Sequence, residues 1–145
     1  MEYSRQKDGV CVKMTCDITN VDFQNICKSI SALEHDIYFV GLINDNGRLV
    51  EYVKKQNILI DDLEKDGLIM LCMQTRLYAS MQSDHNKHFG RFGYSIIERE
   101  KTTLLTIPTV YGTVLVITSN QVDSKTLAKQ ISQVAYRDCF AKILN

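Results

Sequence analysis

The side chains best suited to chemistry gather in one short stretch, Asp84-His85-Asn86-Lys87-His88. Two histidines three positions apart, His85 and His88, share a helix face and can offer imidazole nitrogens to a metal ion. A zinc site needs a third protein ligand; Cys72 supplies one only if its helix carries it there. The competing reading is a solvated helix end, where histidine suits the negative end of the dipole. It is the stronger reading, because structural zinc signatures have more ligands at tighter spacing.

The cysteines are Cys11, Cys16, Cys27, Cys72 and Cys139. Cys11 and Cys16 stand wider apart than the common redox pair, and no second pair completes a four-cysteine zinc site. An odd number without a secretion signal argues against a disulfide framework. A cysteine–histidine nucleophile pair meets in space rather than in sequence, and no local signature supports one. Gly90-Arg91-Phe92-Gly93 is too short for a phosphate cradle, lacks the Lys-Ser/Thr of a P-loop and precedes a strand rather than a helix. Lys87, Arg91, Arg99 and Lys101 form a modest basic patch that Glu98 and Glu100 dilute, which reads as solvated surface. None of these residues makes an enzyme on its own evidence.

The chain that must position them has 145 residues, with 17 Lys+Arg balanced by 17 Asp+Glu. That length suits one domain with a real core. Zero formal net charge opposes a protein that works by neutralising phosphates, so no nucleic-acid partner is expected, and it leaves little repulsion against self-association. The apolar runs are far shorter than the roughly 20 residues of a membrane span. The polar start, Met1-Glu2-Tyr3-Ser4-Arg5-Gln6-Lys7, lacks the apolar stretch of a secretory signal. The expectation is a soluble cytoplasmic protein with no membrane span.

Residues 1–18 read as an extension in which Val10, Val12 and Met14 alternate with polar neighbours; residues 19–145 read as one domain. Thr19 and Asp22 fit a capping box, and Phe23, Ile26, Cys27, Ile30 and Leu33 then form one helical stripe. Residues 37–43 are a continuous apolar run, the mark of a strand covered on both faces. Gly41 within it predicts close approach of a helix or neighbouring backbone. Asn44-Asp45-Asn46-Gly47 is a hairpin turn leading into a partner strand over 49–53. Asp61-Asp62-Leu63-Glu64 opens a second helix that runs to about Ser83 and is apolar nearly all round over 68–73. Such a helix must be buried on more than one side. After a loop over 84–93, strands are predicted at 92–98, 102–107 and 113–118, with Pro108 ending the second of these. Asp123 or Ser124 caps a last helix whose stripe includes Leu127, Ile131, Val134 and Ala135.

This order, with the Ile37-Tyr38-Phe39-Val40-Gly41-Leu42-Ile43 strand, the Asn46-Gly47 turn and the run from Phe92 to Thr118 followed by Asp123-Ser124, resembles the roadblock/dynein light chain family of small α/β proteins, over about residues 19–145. The same patterns occur in profilin-like, longin and sensor domains. The resemblance implies an α+β fold with a five-stranded antiparallel sheet in the order α-β-β-α-β-β-β-α. The first and last helices lie on one face and the middle helix on the other. It also implies a homodimer in which third strands pair edge to edge and middle helices pack together, and a non-catalytic scaffold or regulator, often of a small Ras-like GTPase. It carries no catalytic motif and no cofactor. The self-interface expected from both lines of reasoning uses Met70, Met73, Leu77 and Met81 with Tyr94 and Ile96 on the edge strand. The alternative is a small-molecule sensor of profilin-like topology; a metal- or cysteine-dependent enzyme on Cys72, His85 and His88 is the third reading.

Overall fold

A computed structural model describes residues 22–55 and 62–144, with side chains as far as residue 135. The expected extension over 1–18, the Thr19 capping box, Cys11, Cys16 and Asp61 lie outside the described residues, as does the Cys139 side chain. The elements are α1 (Phe23–Ser31), β1 (Ile37–Ile43), β2 (Leu49–Lys54), α2 (Lys65–Ser83), α3 (Asn86–Phe89), β3 (Ser95–Glu98), β4 (Thr103–Thr109), β5 (Gly112–Thr118) and α4 (Ser124–Leu144). The strands form one antiparallel sheet in the order β2-β1-β5-β4-β3. The predicted order therefore stands, with one short helix, α3, added.

The centre of the sheet explains the apolar runs. Strands β1 and β5 are buried along nearly their whole length. On one side Val40, Leu42, Val114 and Val116 pack with Ile26 and Ile30 of α1 and Leu127 and Ile131 of α4. On the other, Phe39, Ile43, Leu115 and Ile117 pack with Cys72 of α2. A strand sandwiched in this way cannot alternate polar and apolar residues.

Local signals set the joints. Asp22 is itself the cap of α1, its carboxylate accepting from the Asn25 amide at 3.1 Å. At the other end of α1, Lys55 Nζ donates to the carbonyls of Ser31, Glu34 and His35 at 3.0–3.3 Å, satisfying acceptors that the helix end leaves over. In the β1–β2 hairpin, Asn44 Oδ1 accepts from the amides of Asn46 and Arg48, and Gly47 takes φ +80°, the left-handed backbone that glycine adopts without strain. Asp123 caps α4, accepting from the Thr126 hydroxyl at 2.8 Å and its amide at 3.3 Å.

Four expectations need correction. Helix α2 begins at Lys65, and its cap Glu64 makes no side-chain bond, so Asp62 and Leu63 belong to the approach rather than to the helix. Strand β3 begins at Ser95, not at 92. The Phe92 amide donates to Asn86 Oδ1 at 2.9 Å instead of to a neighbouring strand, and α3 occupies part of the predicted loop. Pro108 lies inside β4, opposite Thr113. It is tolerated because β3 pairs with β4 only as far as Thr106, leaving no strand on that side to want the missing donor. Gly41 makes room for side chains, not for backbone. A Cβ there would stand 2.7 Å from both Leu49 Cδ1 and Phe39 Cε1, and the Phe39 ring stacks on Tyr52 with centroids 5.9 Å apart.

This packing can be probed at two places. Gly41→Ala forces the Phe39 ring and Leu49 out of their positions and should cost about 1–3 kcal/mol, read as a lower urea midpoint with an unchanged slope. Burial, with the Glu51 charge second, pushes the Cys27 thiol up to about 12, and burial also raises that of Cys72. Both should stay unalkylated by iodoacetamide in the folded protein at pH 8, because the thiolate is the nucleophile. Peptide mapping should find both labelled once urea has unfolded the chain.

Candidate interaction surface

Helix α2 lies on one face of the sheet, against β4 and β5, with small residues inward. Cys72, Thr75 and Ala79 of α2 are buried, with Leu68 and Leu71 packed beside them. The Thr75 hydroxyl donates to the Leu71 carbonyl at 2.7 Å, so its burial leaves no polar atom unpaired. Other large residues point the other way. Met70, Met73, Leu77 and Met81, spaced three and four apart, are 54–61% exposed, with Ile69 beside them at 50%. A helix presenting polar residues to water would show the reverse.

This stripe is held at a set height and angle. The β1–β2 turn docks against it: a Cβ on Gly47 would lie 3.4 Å from Met73 Cα. Asp45 Oδ1 sits 3.7 Å from Arg76 Nη2, an exposed pair that contributes little by itself. Arg76 Nε is shut off from solvent with no acceptor. At the far end of α2, Tyr78 meets the edge of Phe92 at 6.4 Å.

The second component is the open edge of the sheet. Among the described residues, strand β3 pairs only with β4. It leaves backbone donors and acceptors facing outward, a ready template for another strand. One side chain from well downstream fixes this edge. Asn120 donates through Nδ2 to the carbonyls of Arg99 and Glu100, and its Oδ1 accepts from the Thr103 hydroxyl at 2.7 Å.

The residues named from sequence do not all lie together. Ile96 stands opposite Leu105, which belongs to the core under α1 and α4. Tyr94 precedes β3, and its side chain packs on that same core; the chain joins the sheet only at Ser95 because Phe92 is tied to Asn86. The methionine stripe belongs to the opposite layer. The β3 residue on the α2 side is Ile97, opposite Leu104 and 43% exposed. Sequence reasoning missed Ile97 and Ile69. Strand alternation counted from Leu104 could have found the first, and its i+4 relation to Met73 the second.

The reactive residues scatter. Cys72 is buried under α2. His85 precedes α3 with its ring 6.2 Å from Phe89, and His88 lies exposed within α3. Among the described residues no three His, Cys, Asp or Glu side chains come together in a way that could hold a metal ion. Among them, too, no helix is long and apolar enough to cross a membrane.

No protein-family model matches the chain, nor does any curated protein sequence. Solved structures do match. A Roadblock/LC7 domain from Streptomyces avermitilis superposes with a TM-score of 0.63 at 13% identity, over 81% of this chain and 94% of that one. MglB of Myxococcus xanthus gives 0.60 at 16%, over 79% and 91%. The gliding protein MglB of Thermus thermophilus gives 0.60 at 12%, over 81% and 87%. At such identities the likeness is one of backbone architecture, and it agrees with the element order, the sheet order and the placement of helices described above: the chain has the roadblock/LC7 fold.

Proposed function

We propose that the chain is a non-catalytic regulatory module that works as a homodimer, and that it serves as a scaffold or regulator of a small Ras-like GTPase. The observation that carries the dimer is the outward stripe of α2. Contiguous large apolar side chains on one face of a surface helix mark a protein–protein contact. Zero net charge lets two copies approach without long-range repulsion.

Magnitudes indicate how the contact is built. Full burial of a Met or Leu side chain contributes about 1.5–3 kcal/mol, and each stripe residue has roughly half of that left to gain. Four from each copy give about 6–12 kcal/mol, against a cost of association on the order of 4–15 kcal/mol. Helix packing alone is therefore marginal. Pairing of the two β3 edges satisfies strand donors and acceptors at the same time, and brings Ile97 and Ile96 of each copy alongside their counterparts. The interface so proposed comprises Met70, Met73, Leu77, Met81 and Ile97, with Ile96 on the other side of the paired strands. The GTPase is the partner that the roadblock resemblance implies, and the shared fold supports that reading by analogy.

Light scattering after size exclusion, at tens of micromolar, should give twice the chain mass. Met73→Asp should give the single-chain mass with an unchanged circular dichroism spectrum, because Met73 is outside the core and a carboxylate is costly to bury unpaired. A monomeric native chain sinks the dimer. For the partner, the immobilised chain is exposed to lysate of its source cells with GDP or a non-hydrolysable GTP analogue. Retention of a small GTPase that differs between the nucleotides is the expected result. Retention of none under either condition removes the GTPase and leaves the dimer standing.

A further inference from the structure

A groove of about 530 Å³ opens between α4, the end of β4 and the loop that follows α3. Its size is that of a small-molecule site. Its lining is part apolar, from Phe92, Pro108 and Val110, and part polar, from Asn86, Arg91 and Gln133. Among the described residues lining it, Arg91 is the sole charged one; no Asp or Glu is among them.

The polar part is built rather than incidental. Gly90, at φ +86°, reverses the chain after α3, and its amide donates to the Asn86 carbonyl at 2.9 Å. The Asn86 side-chain oxygen accepts from the Phe92 amide, also at 2.9 Å. Phe92 is pinned a second time by its edge contact with Tyr78. Arg91 is thus presented from a loop fixed at the residues on both sides of it. The apolar part is fixed too, since the Thr109 hydroxyl donates to the Gly112 carbonyl at 2.8 Å and accepts from the Tyr111 amide at 3.1 Å. The pairing also sets which half of Asn86 is free. The Asn86 oxygen is committed to Phe92, so its NH₂ is the half that remains. A guanidinium has donors only. Among the described lining residues the one charge is the Arg91 guanidinium, and the Asn86 NH₂ adds donors to it.

We propose that this groove binds a small organic anion with a flat apolar body, its charge on Arg91 and the Asn86 NH₂ and its body against Phe92 and Pro108. The reading stands independently of self-pairing, because all the groups it uses lie in one chain and off the α2 stripe.

The test is an amide-resolved NMR titration of the ¹⁵N-labelled native chain with naphthalene-2-sulfonate, with uncharged 2-naphthol as comparator. Saturable shifts should centre on Arg91, Phe92, Ser132 and Gln133. The sulfonate should bind about tenfold more tightly than the naphthol, since a charge-assisted pair supplies the difference. Arg91→Gln, an exposed loop substitution that leaves the core untouched, should bring the two probes level. Ser132→Trp should fill the groove and abolish both. Met73→Asp should leave binding unchanged. Shifts centred on residues 70–81, equal affinity for the two probes in the native chain, an undiminished sulfonate preference in Arg91→Gln, or no saturable shift at all would each overturn the proposal. Loss of binding in Met73→Asp would do so as well, by assigning the groove to a contact between copies.

Discussion

Strands β1 and β5 must be covered on both faces, and the rest of the structure answers to that requirement. Their side chains are apolar above and below, so two layers of helix are needed. The chain supplies them unequally. Two helices, α1 over β1 and β2 and α4 over β4, share one face, whereas among the described residues α2 alone packs on the opposite one. A single helix can seal a sheet face only by lying close. The residues that let it do so are the small ones, Cys72, Thr75 and Ala79.

That closeness inverts the usual distribution of bulk. In most amphipathic helices the large apolar side chains face the core. In α2 only Leu68 and Leu71 do so; Met70, Met73, Leu77 and Met81 face away from a sheet surface occupied by Phe39, Leu115 and Ile117. The inner side of α2 therefore contributes to the stability of the single chain, and its outer side contributes little to it. The two faces can vary under separate pressures. Methionine suits the outer role, since an unbranched thioether packs against surfaces of more than one shape.

Much of this was legible in the residues themselves. The run over 37–43 gave β1 its observed bounds because a strand buried on both faces has no polar residue to blur its ends. Gly47 behaved as a turn glycine because positive φ is a local demand. The nearly all-round apolar character of 68–73 asks for two buried sides, and the single chain covers one of them, leaving Ile69, Met70 and Met73 half exposed. What escaped the sequence was decided by contacts over distance. Phe92 looked like a strand residue by alternation, yet its amide is taken by Asn86. Pro108 looked like a terminator, yet it sits where the neighbouring strand has already ended. Gly41 looked like a point of backbone approach, yet an aromatic ring lies over it. Of the interface candidates, helical spacing found the stripe, and alternation separates Ile96 from Ile97, while which of the two shares a face with α2 depends on β4 register, which periodicity does not carry.

Asn120 has an effect on mechanics. Its amide holds the Arg99 and Glu100 carbonyls at one end of the open edge strand, and it stands three positions before Asp123, which starts α4. The loop at the tip of a hairpin is ordinarily among its more mobile parts. Here the tip is clamped from 20 residues downstream, so loosening it means also disturbing the segment that launches the last helix. The sheet's open border and α4 are thereby coupled in stiffness. A substitution at Asn120 removes the tie to both carbonyls at once.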